Sequence, residues 1–191
     1  MADEVNLDEL WQQGIDTDEL AKGAKDLLMP VGTYRSVPPM TLSFNDQEDE
    51  FSGRKPGSQA NVFGEFQMVV RAKDLEKVHK TNPDAKVGDV LARGYLGVRL
   101  SPIRVNVKDR ETGRDTGRPD RAYQLWINAV AAFKKAYGRE PGSQMEVLRY
   151  LTDYEFQARV GQYNVPTEKN PEPEGNPGNN VQSISAVQEE R

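Results

Sequence analysis

DRAYQLWINAVAAFKKAY, residues 120–137, is the one long stretch of the chain with an unbroken helical period. Ala122, Leu125, Trp126, Ala129, Val130, Phe133 and Tyr137 recur at spacings of three and four, which puts them on one broad stripe of an α-helix. Gln124, Asn128, Lys134 and Lys135 fall on the opposite face. Pro119 and Asp120 suit the start, where a missing N–H is harmless and a carboxylate meets the positive end of the helix dipole. Lys134, Lys135 and Gly138 suit the end. One amphipathic helix is marginal alone in water, so an apolar surface must cover its stripe.

That surface is to be sought in strands. Val31–Phe44 is extended in character and is broken in two by Pro38 and Pro39. Val62–Arg71 alternates, with Val62, Phe66, Met68 and Val70 on one face and Phe63, Glu65, Gln67, Val69 and Arg71 on the other. Gly94–Lys108 forms a third strand. Leu96, Val98 and Leu100 point inward at even positions, then Ile103, Val105 and Val107 at odd ones, and the parity slip at Ser101 and Pro102 predicts a bulge or kink. Arg99, Arg104, Asn106 and Lys108 take the outward face. Asp109–Gly117 reads as a turn-rich connection into the helix.

After the helix, Met145–Leu151 suggests a short second helix. Tyr154–Gly161 alternates with Tyr154, Phe156, Ala158 and Val160 inward, and Val181–Val187 is the last strand. Lys73–Val90 is charged and broken by Asn82 and Pro83, and reads as an insertion with a helical turn near Leu75–His79. Pro166–Asn180 is loop material. Strand, strand, strand, helix, strand, strand is the element order of an OB-fold, a five-stranded Greek-key barrel plugged by one long helix between strands 3 and 4. The expected organisation is an acidic N-terminal arm with short helices (1–29), a mainly β barrel domain (30–187) with an insertion at 73–93 and a loop at 166–180, and a charged end (188–191).

The 191 residues are 36% hydrophobic and 29% charged, enough for one compact domain with polar ends. No cysteine is present, which removes disulfides and thiolate metal sites and fits a reducing, cytoplasmic setting. Net charge is −5, but it is unevenly spread. Asp3, Glu4, Asp8, Glu9, Asp16, Asp18 and Glu19 crowd the N-terminus. Between Arg99 and Arg139 lie Arg104, Lys108, Arg110, Arg114, Arg118, Arg121, Lys134 and Lys135. A phosphate senses charge within a Debye length of roughly 8 Å, so the basic middle outweighs the average.

Enzymatic signatures are missing. His79 is the only histidine and has no partner motif, no glycine-rich phosphate loop is followed by Lys and Ser or Thr, and no two-carboxylate catalytic motif at helical spacing is recognisable. The acids of Asn45–Gln59 do not make a calcium loop, because the required glycine and terminal glutamate are misplaced. No catalytic residue, metal or cofactor is therefore expected.

PVGTY (30–34), FKKAYG (133–138), YEFQARVGQY (154–163) and NNVQSISAV (179–187) resemble a family of small bacteriophage-encoded proteins. The resemblance runs from Pro30 to Val187 and departs from the family pattern at the 73–90 insertion and the acidic arm. It implies an OB-like fold and a role with single-stranded DNA in phage replication or recombination, in the host cytoplasm.

Such binding needs cations along the backbone and aromatic faces for bases, in an OB-fold on the outer face of strands 2 and 3 and the adjoining loops. The parities put Phe63, Arg71, Arg99, Arg104 and Lys108 on that face, and Phe51, Arg54 and Lys55 in the first loop. These eight are the expected nucleic-acid contacts. Tyr95 and Tyr123 are read as rim or core. The same residues also admit a plainer reading, with Phe63 under the arm and the arginines solvated. The alternative function is a phage protein-interaction module, a virion component or host-targeting protein, using barrel and arm. The arm could also recruit a phage or host replication or recombination protein.

Overall fold

The structure, a computed structural model, describes residues 28–48, 54–103, 106–109, 111–164, 168–169, 171 and 177–187. The chain divides into a main unit, 29–163 with 179–191, and a smaller one, 1–28 with 164–178, of which few residues are described. The expected acidic arm and Phe51 lie outside the described residues, as does Arg104.

In the main unit, β1 (Gly32–Ser36) and β2 (Thr41–Phe44) flank the Pro38–Pro39 step, whose peptide bond is cis. They lie end to end along one edge of the long strand β3 (Ala60–Val69). The other edge of β3 pairs antiparallel with β4 (Val90–Leu100) over its whole length. On its far side β1 pairs antiparallel with β7 (Phe156–Tyr163), and β8 (Gly178–Ala186) follows. The sheet therefore reads β4, β3, β1 with β2, β7, β8, and it curls into a half-barrel.

Alternation of side chains sends Ala60, Val62 and Phe66 of β3, Val98 and Leu100 of β4, Tyr34 of β1 and Phe156, Ala158 and Val160 of β7 to the concave side, all buried. The helix predicted from residues 120–137 is α2 (Arg121–Tyr137), the short α1 (Leu75–His79) having preceded it. Leu125, Trp126, Ala129, Ala132 and Phe133 pack in the same core as the concave face. Each large side chain buried in this way contributes about 1.5–3 kcal/mol. Asp120 caps the helix, its side chain accepting from Ala122 N, and Gly138 ends it in the left-handed conformation at φ 66°.

A second helix, α3 (Gln144–Asp153), follows at once and supplies Val147, Leu148 and Leu151 to the core. Ser143 caps it, while Glu146 reaches back to Gly142 N (2.8 Å) and is held by Arg139 at 3.0 and 3.2 Å. The expectation of one long helix between the third and fourth strands is thus corrected to two helices. The short helix expected over Met145–Leu151 is real and longer.

Three strand expectations are also corrected. The third strand is Val90–Leu100 and not Gly94–Lys108, so the insertion ends before residue 90. The parity slip at Ser101 marks the departure of the chain from the sheet: Ser101 is fully buried, its N–H donates to Ala122 O (3.0 Å), and its hydroxyl lies 3.1 Å from Ser58 O. Ile103 and Val107, expected inward, are 53% and 48% exposed. Residues 106–108 and the presumed connection instead form a separate antiparallel ribbon, β5 (Asn106–Lys108) with β6 (Asp115–Pro119). Tyr154, expected inward, is 56% exposed and precedes β7. It stacks with Tyr150 and meets Tyr137 edge-on, which is also where Tyr137 leaves the buried stripe.

Polar ties hold the strand ends. Met29 N donates to Asn179 Oδ1 at 2.7 Å, and Asn179 Nδ2 and Gln162 Nε2 donate to Met29 O, each at 2.9 Å. Buried Ser36 accepts from Phe156 N at 2.9 Å. A Cβ on Gly94 would stand 2.1 Å from Met29 Sδ, so the Met29 side chain packs over β4 at this glycine and would have to shift for any larger residue there.

Phe66 and Phe156 meet edge to face at 5.8 Å, both fully buried. Phe156→Ala is expected to lower the unfolding free energy by about 3–5 kcal/mol, measured by urea denaturation.

Candidate nucleic-acid interface

The convex face of β3 and β4 is built by the residues that alternation turns away from the core. In register, Asn61 faces Arg99, Phe63 faces Gly97, Glu65 faces Tyr95 and Gln67 faces Arg93. Gly97 carries no side chain, so the Phe63 and Tyr95 rings approach diagonally, 6.1 Å between centroids at 67°. Tyr95 is 66% exposed. At one end of this face Glu65 accepts from Gln67 (2.9 Å) and pairs with Arg93 (3.8 Å). At the other end stands Arg99, exposed and with no ion-pair partner among the described residues.

Arg99 also borders a cleft of about 430 Å³ lined by β4, the ends of β7 and β8, and the first turn of α2. Three cations line it, Arg54, Arg99 and Arg121, with Asp120 among them. Asp120 does two things at once: Oδ1 accepts from Ala122 N at 2.8 Å, and Oδ2 pairs with Arg54 at 3.1 Å. Arg121 reaches neutral acceptors, Val181 O at 2.8 Å and Asn180 Oδ1 at 3.4 Å, which orient its guanidinium without cancelling its charge.

Of the eight residues expected from sequence, the structure brings Phe63 and Arg99 to one face and Arg54 to the adjoining cleft. Lys55 follows Arg54 with an exposed side chain, in the turn closed by Ser58 N donating to Lys55 O at 3.0 Å. Arg71 is corrected. It lies beyond the far end of β3, pairs with Asp74, and borders a different cleft with Val31, Met68 and Val78. Eight residues separate it from Phe63, roughly 26 Å along an extended strand. Lys108 belongs to the β5–β6 ribbon and not to the face of the third strand.

Tyr95, read as rim or core, stands exposed on the convex face, at an odd position shared with Arg99. The pairing of Arg121 with β8 had no local signal, because its acceptors are 59 and 60 residues away. His79 is structural, with Nε2 2.9 Å from Ala85 O. Among the described residues no cluster of three or more acids and histidines could hold a metal, and no helix is long and apolar enough to cross a membrane.

The ribbon rises between the end of β4 and the start of α2, with Arg114 and Arg118 exposed. Its turn is organised by Asp109 Oδ1, which accepts from Thr112 N and Thr112 Oγ1, both at 2.8 Å, and from Glu111 N at 3.1 Å. No family model, curated protein or solved structure matches the chain.

The hydrogen bonds from the Thr112 backbone and side chain hold the Asp109 carboxyl below the usual carboxylate range. A depressed folded value stabilises the turn above the ordinary carboxylate pKa, and that contribution is lost as pH falls through the folded value. Thr112→Val removes one donor and is expected to move the Asp109 midpoint up toward the ordinary value, followed by carboxyl-detected NMR titration.

Proposed function

We propose that the protein is a non-catalytic single-stranded DNA-binding protein whose barrel is an OB-fold with its closing strand pair open. The strand order supports this reading: β3, β4, β7 and β8 stand as the second to fifth strands of that fold, β1 with β2 as the first, and β4 and β8 end the sheet. The observation that carries the function is the ring pair of half-buried Phe63 and exposed Tyr95 beside Arg99, which has no ion-pair partner among the described residues, on the convex face of β3 and β4. Aromatic faces take bases of any sequence, and an arginine beside them takes the linking phosphate. The role would be coating of single strands in phage replication or recombination, in the host cytoplasm, with no catalytic residue assigned.

A second reading, a protein-interaction module, is favoured by the outer edges of β4 and β8, which pair with no further strand among the described residues, since such an edge can accept a partner's strand.

Fluorescence anisotropy of a labelled oligo(dT) of about 30 nucleotides, beside a duplex of equal length, separates the two. The expected result is salt-sensitive binding of the single strand alone. Phe63→Ala and Tyr95→Ala should each weaken it by about 1–3 kcal/mol. Arg71→Ala should leave it unchanged. Absence of binding at low salt overturns the reading and favours the protein-interaction module.

A further inference from the structure

The β5–β6 ribbon belongs neither to the core nor to the convex face. Its strands pair with each other and with no further strand among the described residues, and a two-stranded hairpin is marginal in water without more structure to pack on. Its own hydrogen bonds order it. Asp109 N donates to Arg114 O at 2.8 Å and Gly113 N to Asp109 O at 2.9 Å across the turn, while Thr116 Oγ1 donates to Val107 O at 2.5 Å between the strands. Every residue from 111 to 118 is exposed. The two faces of the ribbon differ. Asn106 and Asp115 share one, joined by a hydrogen bond of 2.9 Å from Asn106 Nδ2 to Asp115 Oδ2. Alternation sends Val107, Arg114 and Arg118 to the other. Both arginines are exposed, with no ion-pair partner among the described residues. Asp109, the acid opposite Arg114, has its carboxylate turned onto the Thr112 and Glu111 amides. That face therefore combines an apolar side chain, half exposed, with two uncancelled cations, the mixture that a chain of bases and phosphates takes up. The root of the ribbon sets where it can act. The chain leaves β4 at Ser101, two residues after Arg99, with Ser101 N bonded to Ala122 O, and it returns at Asp120 into the first turn of α2. The ribbon is thus rooted at the Arg99 end of the Phe63–Tyr95 surface and is continuous with it.

We propose that the ribbon is a flap that closes over a single strand lying on Phe63 and Tyr95, with Arg114 and Arg118 taking phosphates that Arg99 does not reach. The inference rests on the single-stranded DNA reading above. A convex face holds a strand from one side only, so rings and Arg99 alone leave it free to lift away. The ribbon supplies the second side. Its arginines meet the backbone while Val107 lies against sugar and base, and the strand is enclosed without any reading of its sequence. Such a cover acts mainly on the rate of release, as most changes at an interface do.

The first test is the salt dependence of oligo(dT) affinity for the double variant Arg114→Gln with Arg118→Gln, beside Lys135→Gln with Arg149→Gln, an equal change of charge at exposed positions of α2 and α3. Each phosphate neutralised on a single strand adds about 0.7 to the slope of log K against log salt, so the ribbon pair is expected to flatten it by about 1.4 and to speed dissociation. The helix pair should do neither, and thermal melting establishes that both variants remain folded. The second test places a spin label on the ribbon. The chain has no cysteine, so a label at Glu111→Cys reports the turn of the ribbon alone. Its mobility is expected to fall on saturation with oligo(dT), while a label at Glu155→Cys, just before β7, should not change. Equal slopes for the two pairs, or an unchanged label at Glu111→Cys, overturns the flap while leaving binding at the aromatic face intact. A label immobilised by the duplex and not by the single strand overturns it in favour of a ribbon that enters a duplex groove. Failure of the wild-type chain to bind oligo(dT) at low salt overturns the single-stranded DNA reading itself, and this inference with it.

Discussion

Everything in the main unit depends on the burial of one helix stripe against one curved sheet. Leu125, Trp126, Ala129 and Phe133 share a core with Val62, Phe66, Val98 and Val160. A sheet that curls without closing leaves its concave side open to water, and only a wide apolar surface can fill it. Helix α2 supplies that surface, and α3 adds Val147, Leu148 and Leu151. Because α2 fills the interior, β4 and β8 can remain apart at the seam, and the cleft between them is lined by Arg54, Arg99, Asp120 and Arg121 together with apolar residues such as Leu125 and Val181.

The sequence made the core side of this arrangement legible, since periods of two and of three to four are direct images of strand and helix geometry. The concave faces of β3, β4 and β7 and the caps Asp120 and Gly138 all follow from local pattern. What was not legible depends on where the chain leaves a sheet. The change of parity at Ser101 looks the same whether a strand kinks or ends, and only the hydrogen bond from Ser101 N to Ala122 O shows that it ends. Ile103 and Val107 then lie on an exposed ribbon, although their apolar character argued for burial. The candidate site was half legible for the same reason. Alternation placed Phe63 and Arg99 together, whereas the position of Arg54 against Asp120 and of Arg121 against Val181 arises from contacts across 66 and 60 residues.

Charge in this protein is organised by distance and not by total. A chain of net charge −5 still gathers three arginines at one cleft, because strand ends and a helix start converge there. Arg71 shows the converse: a cation on a strand assigned to the binding face, yet carried past its end and neutralised by Asp74. Asp120 combines both lessons, as a cap whose second oxygen reaches across to another loop.

The middle position of β1 in the sheet has a consequence for the order in which the chain can assemble. One edge of β1 meets β3, about thirty residues later in the chain, but the other meets β7, and the Ser36–Phe156 contact spans 120 residues. The tie of Met29 to Asn179 spans 150. Contacts of such long range form late, because the loop they close must first be ordered. During synthesis the β1–β3–β4 meander therefore emerges with the β1 edge bare, waiting for a strand more than a hundred residues downstream. That interval, and not the finished fold, is when this molecule is most exposed to pairing with the wrong partner.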